Sequence, residues 1–525
     1  MNEDKLNQEN EAAIASLSPS SAPLVRQILS KGHVPDILTC IANLSSDEVF
    51  TPPELVDKML DIFPEEVWHD SSLKWLDPAC KTGIFLRQIA KRLMEGLRDE
   101  FPDEEVRRQH IFKNMLYGIA ITDLTALMSR RSLYTSKNAS GDKSIAKFDN
   151  ENGNISYDNR PHTYKNGTCI YCGNKEGGEL DRDENQERHA YNFIHLTEKE
   201  IKNMKFDVIV GNPPYQLKDG GNGASAAPIY QYFVEQAQKL RPRYISFIIP
   251  SRWFAGGKGL DLFREEMLHN HHIKQLYDYP NAEDCFPGVE IAGGVCYFVI
   301  DSKYTGKCEI TTILGEDSST MERYLDEIDV FVRWNKGMPI LRKVISRNES
   351  TISDIASSRK PFGLATNFKD FDAYNNPDKY KIYSSSQTGD RKISYVQKTR
   401  ITKGFEYIDK WKVLMPKAFR LGSATDGGTV HPIIAEPGSV CTETFIILKT
   451  FSTEEEAKNF VEYIKTRFFR FLVLLHKLTQ DATSKVYAFV PDLSMDRVWT
   501  DEKLYGRYEI TDDERQFIES MVKEI

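Results

Sequence analysis

The sequence predicts an α/β fold: an open, mostly parallel sheet covered by helices, followed by a second domain of mixed α+β character. Three observations carry that expectation. Between residues 71 and 300, short apolar runs alternate with segments whose apolar residues recur at helical spacing. The runs are near-continuous in apolar residues, as in strands buried on both faces. Near residue 320 the alternation stops and shorter, irregular pieces follow.

The elements follow in order. LKWLD (73–77) is the first strand, and Ile84, Phe85, Ile89, Leu93 and Leu97 mark the helix behind it. LYGIAI (116–121) is a strand and DLTALMSRRSLY (123–134) a helix. FDVIV (206–210) is a third strand, followed by a helix over 228–240 that Arg241 and Pro242 close. YISFIIP (244–250) and IKQLYDY (273–279) are strands flanking a helix at 259–270. GGVCYFVI (293–300) and CEITTIL (308–314) are strands joined by a turn. Residues 138–200 are rich in Asn, Asp, Glu and Gly and read as an insertion. EEEAKNFVEYIKTRFFRFLVLLHKL (454–478) reads as one helix. The expected division is an N-terminal helical or partly disordered segment (1–48), an α/β domain (49–320) and a C-terminal domain (321–525).

Composition narrows the function classes. Hydrophobic residues make up 40% and charged residues 28%, an ordinary globular balance. No apolar run approaches the ~18 residues of a membrane span, and the first residues lack a signal pattern, so the expected compartment is the cytoplasm. Eight scattered cysteines are not a disulfide framework in a large intracellular chain. The net charge of −9 does not advertise a nucleic-acid binder, yet residues 391–420 hold nine Lys or Arg and two acidic residues. Tyr395, Phe405, Tyr407 and Trp411 are interleaved there, which suits phosphate contact and base stacking; a solvated sheet edge defended by lysines is the plainer reading.

Three motifs carry chemistry. In VFTPPELVDKMLDIF (49–63), Phe50-Thr51 precedes Pro52 and Pro53, and Thr51 is a candidate helix cap. In WLDPACKTGIFL (75–86), a strand ends at Asp77-Pro78 and a tight turn at Gly83 leads into a helix, which brings backbone N–H groups towards a ligand. In FDVIVGNPPYQL (206–217), Asn212 and the Pro213 carbonyl are held in a defined relation by two prolines. They offer two uncharged oxygen acceptors, and Tyr215 offers a flat face. Such a site suits a planar ring bearing an exocyclic amine.

The order FTPP, DPAxxxG, NPPY resembles the amino-methyltransferases that modify adenine N6 in DNA, specifically the methylases of type II restriction-modification systems. The resemblance covers roughly residues 45–310, and more loosely GSVCTETFIIL and the stretch ending KVYAFVP. It implies a Rossmann-like S-adenosylmethionine-dependent methyltransferase domain with a C-terminal mixed α+β target-recognition domain. It implies that Phe50, Thr51 and Pro52 lie beside the methionine part of the cofactor. Asp77, Pro78, Ala79, Cys80 and Gly83 would form the loop under it, and Ile121 and Thr122 would approach its ribose and adenine. Asn212, Pro213, Pro214 and Tyr215 would hold a target base flipped from duplex DNA. A separate cognate restriction endonuclease is the implied partner. Asn rather than Ser at 212 favours adenine over cytosine.

Two positions depart from the family pattern. Lys81 stands where glycine is usual, so that its Cβ would crowd the cofactor or its ammonium would meet the cofactor carboxylate. The second strand lacks a terminal acid, and the nearest is Asp123. Methylation of RNA or of a protein glutamine amide, and a non-catalytic DNA-binding specificity subunit, stay open as alternatives.

The insertion carries its own pattern. Cys169 and Cys172, spaced C-x2-C, are followed by His189 and His195, close to a Cys2His2 site for structural zinc; His162 is a rival ligand. Glycine-rich 220–227 reads as a loop over DNA or a linker, and Arg252 and Trp253 as DNA contacts or packing.

Overall fold

The computed structural model describes residues 49–158, 160–177, 191–216, 227–257, 259–385, 391–417, 431–476 and 483–523. The segment 1–48, His189 and all but the last residue of the 220–227 stretch lie outside the described residues. The chain divides into two compact units, 1–249 with 297–303, and 250–296 with 304–525. Among the described residues no helix is long and apolar enough to cross a membrane.

The first eleven strands are β1 (Trp75–Cys80), β2 (Leu116–Ala120), β3 (Ile155–Ser156), β4 (Tyr164–Lys165), β5 (Thr168–Cys169), β6 (Val208–Gly211), β7 (Tyr244–Pro250), β8 (Ile273–Tyr279), β9 (Val295–Asp301), β10 (Cys308–Leu314) and β11 (Asp317–Arg323). Among the described residues the helices of the first unit are α1 (Pro53–Leu60), α2 (Ile84–Gly96), α3 (Glu104–His110), α4 (Asp123–Tyr134), α5 (Glu198–Asn203) and α6 (Tyr230–Lys239).

In the first unit the strand order is β9-β7-β6-β1-β2-β3. Every pairing from β7 to β3 is parallel. The apolar runs that predicted these strands are buried along their whole length in β1, β6 and β7. From β1 the chain moves outward to β2 and β3, then returns to the other side of β1 as β6 and continues to β7. The order therefore reverses between β1 and β6, and the C-terminal ends of these two strands flank the crevice where such sheets bind ligands. Helix α2 buries Phe85, Leu86, Ile89, Ala90 and Leu93 on one face. Trp68 stacks on Trp75 at 5.0 Å, and Phe63 meets Trp75 edge-on at 5.6 Å, which anchors the start of β1.

In the second unit β10 pairs in parallel with β8 and in antiparallel fashion with β11. The strands expected at 293–300 and 308–314 form as β9 and β10, and the tight antiparallel turn lies between β10 and β11, at Leu314–Asp317. Six further strands form two three-stranded sheets: β12 (Lys379–Ser385), β13 (Arg391–Gln397), β14 (Trp411–Pro416), β15 (Ile433–Ala435), β16 (Ser439–Cys441) and β17 (Phe445–Phe451), ordered β13-β12-β16 and β15-β14-β17.

The single helix expected at 454–478 is two helices, Glu454–Lys465 and Arg467–His476. Thr466 adopts ψ 148°, outside the helical region. Its hydroxyl donates to Tyr463 O at 2.7 Å and accepts the Phe469 N–H at 3.2 Å. Asp501 accepts the Arg467 and Phe468 N–H groups at 3.0 and 2.9 Å, capping the second helix from a distant segment.

Candidate active site

Strand β1 leads into a turn at 81–83. Gly83 takes φ +73°, and a Cβ there would lie 3.1 Å from Ser129 Cα, so backbone conformation and packing both call for glycine. Gly83 opens α2 without any side-chain cap. The first-turn N–H groups of α2 are thus available to an anionic ligand group such as a carboxylate.

Asp77 is 2% exposed, and its Oδ1 accepts the Ala79 N–H at 3.1 Å. Burial pushes its carboxyl up to about 7, against the Ala79 N–H and the Lys81 charge, which both pull it down. Gly211, the last residue of β6, lies against it: a Cβ at 211 would fall 2.6 Å from Asp77 Oδ1.

Asn212 follows directly and is 3% exposed. Its Nδ2 donates to Val49 O and to Thr51 Oγ1, both at 3.0 Å. Both amide hydrogens are committed to oxygen acceptors, which sets the orientation of the amide. Its Oδ1 is buried and has no hydrogen-bond partner among the described residues. The Lys81 ammonium donates to the same Val49 O at 2.9 Å. Pro213 and Pro214 are buried and Tyr215 is half-buried. Tyr215 O accepts the Ile229 N–H at 3.2 Å, and Gln216 bridges to Pro228, so the far end of this segment is tied to the start of α6.

Three predicted stretches thus meet at the switch point. Thr51 touches Asn212, Lys81 touches Val49, and Gly211 touches Asp77. Phe50 and Pro52 are half-buried beside buried Thr51, and Pro78, Ala79 and Cys80 are buried in β1. Thr51 does not cap α1. The cap position is Pro52, whose carbonyl accepts the Leu55 and Val56 N–H groups at 3.1 Å each. Pro53 at the first helical position has no N–H to satisfy, which leaves the Thr51 hydroxyl for Asn212.

Ile121 is buried at the end of β2, one strand along. Thr122 caps α4, its Oγ1 accepting the Thr125 N–H at 3.1 Å within a capping box. Asp123, exposed, is the first residue of that helix.

In the insertion, His162, Cys169, Cys172 and His195 present ligand atoms that all lie within 4.8 Å of one another. Three members of the expected set come together, with His162 beside them.

Sequence reasoning missed Val49, which acts through its backbone carbonyl and carries no side-chain signal. It also missed the direction of Lys81; a lone lysine in an otherwise buried turn was the available clue. Trp253 packs: it is fully buried and donates to Cys296 Sγ at 3.4 Å, whereas Arg252 is exposed. Within the basic stretch, Lys392, Lys398, Arg400, Lys403 and Lys410 are exposed. Lys412 is not. It is fully buried and donates to Lys410 O, Glu436 O, Ser439 Oγ and Ile408 O at 2.9 to 3.3 Å. Burial lowers its pKa to about 8.

Comparison with known proteins adds to this geometry. Residues 114–286 match the Eco57I restriction-modification methylase family. An uncharacterised adenine-specific methylase of Mycoplasma pneumoniae (strain ATCC 29342 / M129) is 39% identical over 327 residues, which cover 57% of this chain and 77% of that protein. Solved structures are similar at lower identity. The type IIL restriction-modification enzyme MmeI, solved in complex with DNA, is 12% identical with a TM-score of 0.44, over 82% of this chain and 64% of that one. The type IIG restriction endonuclease BpuSI is 12% identical with a TM-score of 0.41, over 96% and 64%. A modification subunit ascribed to a type I restriction enzyme of Vibrio vulnificus YJ016 is 16% identical with a TM-score of 0.33, over 57% and 53%. The chain spans from about half to just under two-thirds of these solved chains. Its identity with the mycoplasmal protein, across most of that protein's length, shows the family: this chain belongs to the adenine-specific methylases, with a match to the Eco57I restriction-modification methylase family over residues 114–286.

Proposed function

We propose that this chain transfers a methyl group from S-adenosylmethionine to N6 of adenine in duplex DNA. It acts in the cytoplasm as the modification component of a restriction-modification system, with the endonuclease on a separate chain. A structural zinc in the 138–200 insertion belongs to the same reading. The observation that carries the proposal is Asn212: its amide nitrogen is held twice, while its buried Oδ1 has no partner among the described residues. A buried acceptor without a partner costs on the order of 1–3 kcal/mol. An arriving N–H donor recovers that cost.

The residues fit the donor as well. The uncapped first turn of α2 suits its carboxylate, and the sheet's switch point suits its nucleoside. When bound, S-adenosylmethionine supplies a methyl carbon on a sulfonium, already activated for displacement. Everything else falls to the protein. A duplex adenine is flipped out of the stack, and Tyr215 offers its ring a flat surface. The N6 hydrogens are given to Asn212 Oδ1 and the Pro213 carbonyl. These acceptors hold the amine nitrogen with its lone pair directed out of conjugation, and they stabilise the positive charge that grows on it as the new N–C bond forms. One N6 proton is then lost to solvent. The exposed cations of 392–410 supply phosphate contacts that position the duplex without reading its sequence.

The test is transfer of labelled methyl to mixed-sequence duplex DNA, followed by nucleoside analysis, with Asn212→Ala beside the wild type. Labelled N6-methyladenine is expected. The variant should lose roughly 10²-fold or more in kcat, the scale of one preorganised polar contact in a transition state. Label appearing in RNA or protein instead, or in no acceptor at all despite DNA binding, would overturn the proposal.

A further inference from the structure

We propose that His162, Cys169, Cys172 and His195 bind one zinc ion, and that this ion fixes helix α6 and, through it, the backbone of Tyr215. The second half rests on the reading of Tyr215 as the platform for the base; the first half does not.

The hairpin that presents the cysteines is very small. Strands β4 and β5 are two residues each, joined through Asn166 at φ 55° and Gly167 at φ 73°. A two-stranded hairpin of this size is marginal in water. Ile170, between the cysteines, is 56% exposed, so it adds little to a core. Yet Cys169 and Cys172 are buried. Past Cys172 the chain turns at Gly173, with φ 73°; its N–H donates to Cys169 O at 3.0 Å, and the Cys169 N–H donates to Asn174 O at 2.7 Å. This loop brings the two sulfurs to one side, and both cysteines are free thiols.

The distances match a metal. Cys169 Sγ lies 3.6 Å from His195 Nε2, and Cys172 Sγ lies 3.4 Å from His162 Nδ1. Tetrahedral zinc with Zn–S of ~2.3 Å and Zn–N of ~2.0–2.1 Å sets such an edge at about 3.6 Å. The outer partner is also in place. His195 Nδ1 lies 2.8 Å from Tyr191 O. A carbonyl only accepts, so Nδ1 carries the hydrogen and Nε2 turns its lone pair towards the cluster. Two thiols and two imidazoles, with no carboxylate in the set, select zinc over magnesium or calcium.

The coupling runs through packed aromatic rings. His195 belongs to a short 3-10 turn, Phe193–His195. Phe193 stacks on Phe233 at 5.8 Å, and Tyr191 lies 5.9 Å from the same ring. Phe233 is on α6, and Ile229, just before α6, donates its N–H to Tyr215 O. Releasing the metal frees His195, loosens the seat of Phe233, and removes the support of the Ile229–Tyr215 bond.

The experiment uses the full chain purified without chelator, with metal content measured by mass spectrometry and amide hydrogen exchange followed on the same samples. One zinc per chain is expected in the wild type, in His189→Ala and in His162→Cys, which keeps a ligand. None is expected in His162→Ala or Cys172→Ser. Exchange over 227–239 should quicken by roughly tenfold or more in His162→Ala, while α2 is unchanged. A wild type without zinc, or zinc lost in His189→Ala and kept in His162→Ala, overturns the site. Equal exchange over 227–239 with and without zinc overturns the coupling. Neither readout depends on methyl transfer, so a failure here is distinguishable from a failure of the proposed activity.

Discussion

Thr51→Val separates two roles that one residue can have. By resemblance, Thr51 borders the cofactor; in the structure its hydroxyl accepts an N–H of Asn212 at 3.0 Å. Valine is close in size but has no acceptor. The second Asn212 hydrogen keeps Val49 O, so the amide stays in place with one bond of two. A buried donor left without its acceptor costs about 1–2 kcal/mol, and part of that cost is relieved if the amide rotates away from its productive orientation. At 1.36 kcal/mol per factor of ten, the expected fall in kcat is roughly 5- to 30-fold, with the cofactor KM changed by less than about twofold. Thr51→Ser, which keeps an oxygen at the same place, should recover most of the rate. The assay is steady-state methylation with cofactor and DNA varied separately. A normal kcat with a raised cofactor KM would refute the reasoning and return Thr51 to a cofactor contact alone.

Three further outcomes follow from other sites. Gly211→Ala places a Cβ 2.6 Å from Asp77 Oδ1, an oxygen held by the Ala79 N–H; it should destabilise the chain by about 1–3 kcal/mol and depress activity, and an unchanged denaturation midpoint would contradict the contact. Asp77→Asn tests the buried carboxyl. Because its folded pKa is raised to about 7, its contribution to stability is fully present below about pH 4 and is lost as pH rises through 7. The variant should therefore gain on the wild type across that window, by up to roughly 4 kcal/mol at pH 8 in the absence of ligand, and a difference that stays flat from pH 4 to 8 would sink the idea. In the second unit, Arg333 donates to both oxygens of fully buried Asp278 at 2.7 Å, and Ser251 donates to one of them at 2.9 Å. Arg333→Met should cost about 3–5 kcal/mol in chemical denaturation, and adding Asp278→Leu should recover much of it; equal losses in the single and double variants would count against a stranded charge.

The sheet was legible because its strands are buried on both faces, so that runs such as Val208–Val210 and Tyr244–Ile249 need no partner to identify them. NPPY was legible because two prolines restrict the backbone whatever surrounds them. What escaped the sequence were contacts between distant residues. Thr51 before two prolines looks like a cap, and only Asn212, 161 residues away, shows otherwise. In the stretch 454–476 apolar residues keep helical spacing on both sides of Thr466, so periodicity runs through a break that Asp501 caps from outside. The cysteine pair could be read from its spacing. His195 could be read the same way, but the choice between His162 and His189 could not, because His162 precedes the pair and reaches it only once β4 and β5 have folded back. Lys412 sits in a run of cations that reads as one surface, yet it points inward to four oxygens.

The bond from Asn212 to Val49 O spans 163 residues. Between those two points lie β1 to β6, and the parallel pairings of β1, β2, β3 and β6 frame the closure. Parallel sheets with such long closures assemble slowly, since chain entropy is lost well before the contact is gained. The Asn212 amide is therefore held by a closure of high sequence separation. A nascent chain emerging from the ribosome carries the turn at 81–83 long before Asn212 is made. The orientation of that asparagine is thus a property of the finished fold rather than of any local segment.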